Sequence, residues 1–302
     1  MTGLSMDVPE SFLQPEYRSG YYVDEKMKEV WAVEMDILHQ FASVCDQYHL
    51  KWFALGGTLL GAIRHQGFVP WDNDIDVIMP REDYDQLLRI GPEVFQFPYF
   101  FQCPLTEKRF WRTHVQIRNS LTTGSTRRDR KKAINRGIFI DVMVLDEVPE
   151  TVEERNRHRK RIRRRWWLRY VEKMRYSSKW YYSFPGKIIS SVLGSRTYKA
   201  MFRSVNRKLS AYKGKGTRKV AHTAVFYRES RVWEKEDYAE IIPWKFEYMQ
   251  VNVPVGYDRI LRTMYGEEYM EIPTDYPKND HGSLILDTDT PYAQYFQTKT
   301  SA

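Results

Sequence analysis

Apolar residues in the first third of the chain follow two different rhythms. Met27, Val30, Trp31, Ile37, Leu38, Phe41, Val44, Cys45 and Tyr48 recur at helical spacing and predict an amphipathic helix over 24–49 with one buried face. The short apolar run 52–55 ends at Gly56-Gly57, which predicts a buried strand entering a tight turn, and 58–64 then reads as a short helix. A second strand is predicted over 75–79, stopped by Pro80, with a helix over 81–90. Strands over 99–102 and 115–118 follow. The run 138–145 is continuously apolar except for Asp141, the pattern of a central strand with one functional side chain. Between these strands, 127–136 is a polar, basic loop. Residues before about position 22 show no periodicity and read as an arm.

The middle of the chain changes character. An arginine-rich helix is predicted over 151–173, with Glu153 and Glu154 in its first turn where they complement the dipole. Ile162, Trp166, Tyr170 and Met174 fall four apart, with Trp167 and Val171 beside them, so this helix carries an aromatic stripe among arginines. After Pro185-Gly186, a second helical pattern runs through Tyr198, Phe202, Val205, Leu209 and Tyr212, and 213–219 is a Gly/Lys loop. The last third mixes strand-like pieces with a short helix over 257–265 and ends in a polar tail. The fold class is α/β (α+β): a mixed sheet flanked by helices, with a basic helical insertion. The expected division is 1–150 as core, 151–220 as basic amphipathic helices and 221–302 returning to complete the core and its site.

Composition narrows the class. The chain has 302 residues, 42% hydrophobic and 28% charged, which suits one elaborated globular domain or two smaller ones and excludes a disordered chain. No 18-residue apolar run occurs, and no basic start precedes an apolar stretch in the first 25 residues, so neither a spanning helix nor a secretory signal is expected. Cys45 and Cys103 are too few for a disulfide framework or a cysteine zinc site, and read as reduced thiols of a cytoplasmic protein. The net charge of +8 conceals a division. Residues 151–220 hold 22 Lys and Arg against 3 Asp and Glu, a net +19, and the remainder carries −11. A protein built so has an anionic surface or polymer to meet.

Three features carry chemistry: Gly56-Gly57-Thr58 after a strand, Asp74-Ile75-Asp76 at the start of another, and Asp141 inside a third. Residues i and i+2 of a strand share a face, so Asp74 and Asp76 place two carboxylates side by side. Adjacent like charges are costly unless a cation binds them, and paired oxygens suit Mg²⁺ or Mn²⁺. With Asp141 as third carboxylate, a two-ion cluster can clamp phosphate oxygens in an in-line displacement. The Gly-Gly turn opening a helix offers close backbone approach and N–H groups for a phosphate. Together these form the pattern of the nucleotidyltransferase superfamily.

The run FALGGTLLGAIRHQGFVPWDNDIDV from Phe53 to Val77 resembles the core motif of the LicD family of phosphocholine transferases, relatives of fukutin. GIFIDVMVLD from Gly137 to Asp146 resembles that family's third-carboxylate strand, and VPVGYD from Val253 with YGEEYM from Tyr265 resembles its closing motif. The resemblance is dense over 50–90 and patchy elsewhere. Asn73 stands where many members have Asp, and strand alternation turns its side chain away from Asp74. The resemblance implies transfer of phosphocholine from CDP-choline to a hydroxyl of a cell-surface glycan (teichoic acid, lipopolysaccharide or a lipid-linked precursor), releasing CMP, with two Mg²⁺ or Mn²⁺ ions. It implies Asp74, Asp76 and Asp141 as catalytic metal ligands, Asp141 also as acceptor of the hydroxyl proton. Gly56, Gly57, Thr58, Arg64 and Trp71 fall to the donor, Asp72 to substrate or to turn capping, and His281 is a further candidate.

The close rivals are the same chemistry with another CDP-alcohol (ribitol phosphate, glycerol phosphate, phosphoethanolamine) and a non-enzymatic binder of anionic polymer. The basic segment suits an anionic membrane, with Trp166 and Trp167 at headgroup depth, or an anionic acceptor; its charge exceeds what solubility requires. Nucleic acid also suits the charge. No recognised nucleic-acid module accompanies it, so it ranks lower. The expected location is cytoplasmic, peripheral at the inner face of the membrane.

Overall fold

The computed structural model describes residues 4–108, 110, 112–126, 129, 132–165, 174, 175, 177, 179–192, 195–223, 228–276 and 285–298. A hairpin of β1 (Glu16–Arg18) and β2 (Tyr21–Val23) occupies the segment read as an arm. Its strands are three residues each, too short for alternation to register in sequence. Helix α1 (Glu25–Gln47) starts at Asp24, whose carboxylate accepts the Met27 amide at 2.8 Å. The buried face of α1 carries Trp31, Met35 and Leu38, with Trp31 stacked on Phe68 at 4.5 Å. Strand β3 (Phe53–Ala54), helix α2 (Gly56–His65), strand β4 (Asp76–Pro80) and helix α3 (Arg81–Val94) follow as predicted, α3 running one turn longer through Pro92. Strands β5 (Tyr99–Gln102), β6 (Val115–Asn119), β7 (Thr123–Ser125) and β8 (Ile138–Glu147) complete the first half.

The seven-stranded mixed sheet is built on β8, whose ten apolar-rich residues serve three partners. One edge pairs in parallel with β4, residues 141–145 facing 76–80. The other edge is shared by two antiparallel strands end to end: β6 covers 138–142 and β9 (Lys219–His222) covers 145–147. Strand β10 (Val232–Glu234) extends β9, β3 flanks β4, and β5 flanks β6. A central strand buried on both faces must be apolar throughout, which is why β8 was legible in sequence.

In the basic region, α4 (Val152–Arg165), α5 (Trp180–Val192) and α6 (Ser195–Leu209) are helical. Ile162 of the stripe is buried against Val205 and Leu209 of α6 in a small core of their own, so it is unavailable to a membrane or acceptor. Trp166, Trp167, Tyr170 and Val171 lie outside the described residues. Arg155 is buried and anchors α4, donating to both oxygens of Glu229 and to the carbonyls of Pro149 and Glu150. Pro185 and Gly186, read as preceding a helix, lie inside α5.

After β11 (Ile241–Phe246) and β12 (Met249–Pro254) comes helix α7 (Tyr257–Tyr265). The end of the chain, read as a polar tail, includes β13 (Ile285–Asp287), which pairs with β7, and α8 (Tyr292–Thr298). No helix among the described residues is long and apolar enough to cross a membrane.

Candidate active site

The parallel register of β4 and β8 sets Asp76 directly opposite Asp141. The Asp141 amide continues the ladder to the Ile75 carbonyl at 2.9 Å, just before β4 begins. Asp76 is held from behind: its amide donates to Thr58 Oγ1 at 2.9 Å and its carbonyl accepts the Leu55 amide at 3.0 Å. The strand end and the start of α2 are thus tied together. Asp74 and Asp72 approach from the irregular segment before β4, where the backbone carbonyl of Asp72 accepts the Trp31 indole N–H at 3.0 Å.

A fifth carboxylate joins them from α1. Glu34 is buried, and its Oε2 has no hydrogen-bond partner among the described residues. Burial first, then the charges of Asp72, Asp76 and Asp141, hold its carboxyl well above the ordinary carboxylate range. The same causes, burial and then Asp76, Asp72 and Glu34, push Asp74 well up. Asp141 goes the other way. Against burial, His114 at 3.2 Å, with Arg112 and the Gln116 amide donating at 2.6 Å, lowers it to about 2. Glu34 carried a faint signal, an acid three residues after Trp31 and four before Leu38 on the apolar face of α1.

A cavity of about 90 Å³ lies among these groups, lined by Glu34, Asn73, Asp74, Arg112, Asp141 and, from β13, Leu286. That is room for several water molecules, and well below the roughly 300 Å³ or more of a pocket enclosing a drug-sized ligand. Asn73 therefore shares the cavity with Asp74 rather than turning away from it. Strand alternation does not reach these residues, because β4 begins only at Asp76. Asn73 Oδ1 is a second buried oxygen without a hydrogen-bond partner among the described residues.

These donors fit a hard divalent cation: carboxylate and amide oxygens, mutually repelling, two of them orphaned. Among the described residues no three His, Cys, Asp or Glu side chains stand as a ready-made metal-binding group. An ion here would have to draw the carboxylates inward. Metal-free stability should then depend on pH with a known sign. A carboxyl whose pKa is higher in the folded than in the unfolded chain favours folding while protonated, so stability falls as pH rises above the ordinary range near 4.5. Asp141, lowered from 3.8 to about 2, contributes stability that is present above 3.8 and lost as pH falls through about 2. Glu34→Gln should raise the metal-free melting temperature at neutral pH and flatten the decline between pH 5 and 8, each unit of pKa difference being ~1.4 kcal/mol. Parallel melting curves for native and variant protein across that range would refute this assignment.

The donor-side candidates separate. Gly56 opens α2 with φ +59, in the left-handed region that glycine tolerates, and a Cβ there would stand 3.4 Å from Asp76 Oδ2. Gly57 lies against the Asp72 carboxylate, which a Cβ would overlap. Thr58 is committed to the protein: it is buried, its hydroxyl holds Asp76 and its amide donates to Leu55. Gly57→Ala should therefore displace Asp72 and lower both thermal stability and activity, and an unchanged melting temperature with full turnover would show that Asp72 moves aside freely.

Arg64 lies in the last turn of α2, donating to the carbonyls of Tyr269 and Glu271, both at 2.9 Å. Its guanidinium sits 5.7 Å above the Trp71 ring, which also packs with Tyr21 and Tyr276. His65 beside it is lowered to about 4 by burial and by Arg64 and Arg18, so it is neutral at physiological pH. His281 lies outside the described residues. Tyr265 was not singled out by sequence as a site residue. A Cβ on Gly56 would find its hydroxyl at 3.9 Å, and burial of that hydroxyl end together with Asp72 raises its pKa.

A family model described as LicD/FKTN/FKRP, nucleotidyltransferase domain, matches residues 49–182, the span that holds Gly56, Asp76 and Asp141. Over 264 residues, 84% of this chain and 95% of the relative, the sequence is 25% identical to a lipopolysaccharide cholinephosphotransferase LicD of Haemophilus influenzae. An uncharacterized protein of Rickettsia prowazekii is 27% identical over 144 residues, 46% of this chain and 50% of that protein. Another, of Rickettsia typhi, is 33% identical over 93 residues, 29% of this chain and 30% of that protein.

Proposed function

We propose that this chain, whose residues 49–182 match the LicD/FKTN/FKRP nucleotidyltransferase domain, is a LicD-type cholinephosphotransferase, moving phosphocholine from CDP-choline to a sugar hydroxyl of a lipopolysaccharide-type acceptor with release of CMP. The observation that carries the reading is the register of Asp76 against Asp141, with Asp74 and Asp72 packed beside them over the start of α2. Asp74, Asp76 and Asp141 would hold divalent magnesium or manganese, which supplies charge neutralisation at the transferring phosphoryl group. Gly56 and Gly57 let donor phosphate approach the backbone at the head of α2, where the helix dipole favours negative charge. Arg64, held by two carbonyls, adds a fixed positive charge. Trp71, with Tyr21 and Tyr276, offers aromatic faces beside Asp72 for a quaternary ammonium. In this reading residues 221–302 complete the site through Tyr265 and Leu286.

Displacement is direct: the acceptor oxygen bonds to the choline-bearing phosphorus as the bond from that phosphorus to CMP breaks, and the hydroxyl proton is released to solvent. Both cysteines are buried with thiols pushed up in pKa, Cys45 well up, so neither is a ready thiolate nucleophile. Asp141, at about 2, is ionised at any working pH, which suits holding a cation better than taking a proton. The test is CMP release from a panel of CDP-alcohols with Mg²⁺ and lipopolysaccharide. CDP-choline should be consumed in preference to CDP-ethanolamine, CDP-ribitol and CDP-glycerol. Preference for another donor would keep the chemistry and change the head group, and no release from any donor would remove the enzymatic reading.

A further inference from the structure

Helix α5 is amphipathic in the inverted sense. At 100° per residue, Trp180, Phe184, Ile188, Tyr181, Ile189 and Tyr182 spread over one continuous arc, Lys187 flanks its Trp180 edge, and Gly186 and Ser183 occupy the opposite side. An ordinary surface helix buries the large apolar arc. Here the glycine is buried instead: a Cβ on Gly186 would run into the backbone of Met174 and Arg175. The apolar arc faces outward, with Trp180 77% exposed, Phe184 64% and Ile188 50%. Tyr181, Tyr182 and Ile189 are exposed as well, making a contiguous patch of a kind that soluble monomers rarely present without a partner.

The charge around the patch selects among partners. Lys179 and Lys187 are exposed on the helix itself, and the next helix in the chain, α6, carries exposed Arg196, Arg203 and Arg207. A second copy of this chain docking through the same face would bring these cations against their own counterparts. An anionic lipid surface satisfies both halves of the face. Rings of Trp and Tyr settle at headgroup depth, apolar side chains enter the acyl boundary, and Lys and Arg meet lipid phosphate. We propose that α5 is an interfacial membrane-docking helix that lies flat on an anionic bilayer, seated by Trp180, Phe184 and Ile188. This stands independently of the transfer chemistry, and it moves the membrane contact from the arginine-helix stripe, where Ile162 is buried, to the next helix.

The full-length protein is incubated with phosphatidylcholine vesicles, with and without phosphatidylglycerol, and sedimented. Binding should require the anionic lipid and fall by about tenfold or more between low and physiological salt. The triple variant Trp180→Ser, Phe184→Ser, Ile188→Ser should lose about tenfold or more of that binding with its thermal melting unchanged, because the three side chains are exposed. A second measurement does not depend on that variant: brominated lipid should quench tryptophan fluorescence in the native protein, and quench it less in Trp180→Phe, which keeps binding. No sedimentation with anionic vesicles at low salt overturns the proposal. So does a serine variant that binds as well as native protein, or quenching indifferent to Trp180→Phe, or capture of an acidic protein without any vesicle binding.

Discussion

Asp76→Asn is expected to lower CMP release from CDP-choline by about a thousandfold or more, the scale of removing several kcal/mol of transition-state charge stabilisation. The fold should survive. Asp76 is one of the charges that raise Glu34 and Asp74, so removing it relieves repulsion in the metal-free protein, and its amide and carbonyl, which carry the bonds to Thr58 and Leu55, are unaltered. Two measurements separate the effects. Native protein should melt at higher temperature when Mg²⁺ is added, because an ion that binds only the folded state stabilises it. The variant should melt at or above the native metal-free temperature and respond weakly to Mg²⁺. Full turnover in Asp76→Asn, or an undiminished Mg²⁺ response, would sink the metal-ligand assignment.

Arg81→Met should cost about 3–5 kcal/mol of unfolding free energy, because it strands a buried carboxylate. Arg81 follows the last residue of β4 and grips Asp146 of β8 with two bonds, at 2.6 and 2.8 Å, while its remaining nitrogen donates to Asn206 of α6 and to Asp85. Both Arg81 and Asp146 are buried, and Thr223 also donates to Asp146. The pair closes the β4–β8 ladder five residues beyond Asp76 and Asp141 and ties the basic helices to it. Asp146 is thereby a structural anchor, its carboxylate taken up by Arg81 and Thr223. Urea denaturation should show the loss as a lowered midpoint, and Arg81→Met with Asp146→Leu should recover much of it. A loss of only about 1 kcal/mol for the single variant, the scale of an exposed pair, would mean that water reaches the bridge.

Much of the site was legible because its signals are local. The lone Asp141 in an apolar run and the glycine pair before a helix each report on a few adjacent residues, whereas Asp74, which feels the Asp76 charge, lies before β4 and is not set beside it by strand alternation. The outcome for Asn73 marks the boundary of that logic: alternation governs side chains only where a ladder holds the backbone, and the ladder starts at Asp76. Thr58 shows another boundary. Its position between strand and helix suggested phosphate, but whether its hydroxyl faces a ligand or the Asp76 amide depends on where β4 docks.

By itself the sequence determined the order and period of the main elements, the two-carboxylate motif and the concentration of positive charge in 151–220, all properties carried by neighbours along the chain. Tertiary structure alone decided the rest. It brought Glu34 from α1 into the carboxylate cluster, set β6 and β9 end to end on one edge of β8, and folded β13 back so that Leu286 lines the cavity. It also chose which side of α5 is buried. Apolar residues at helical spacing say that a helix has a face, and only the shape of what packs against it, here the backbone at Met174 and Arg175 admitting nothing larger than Gly186, decides whether that face turns inward or out.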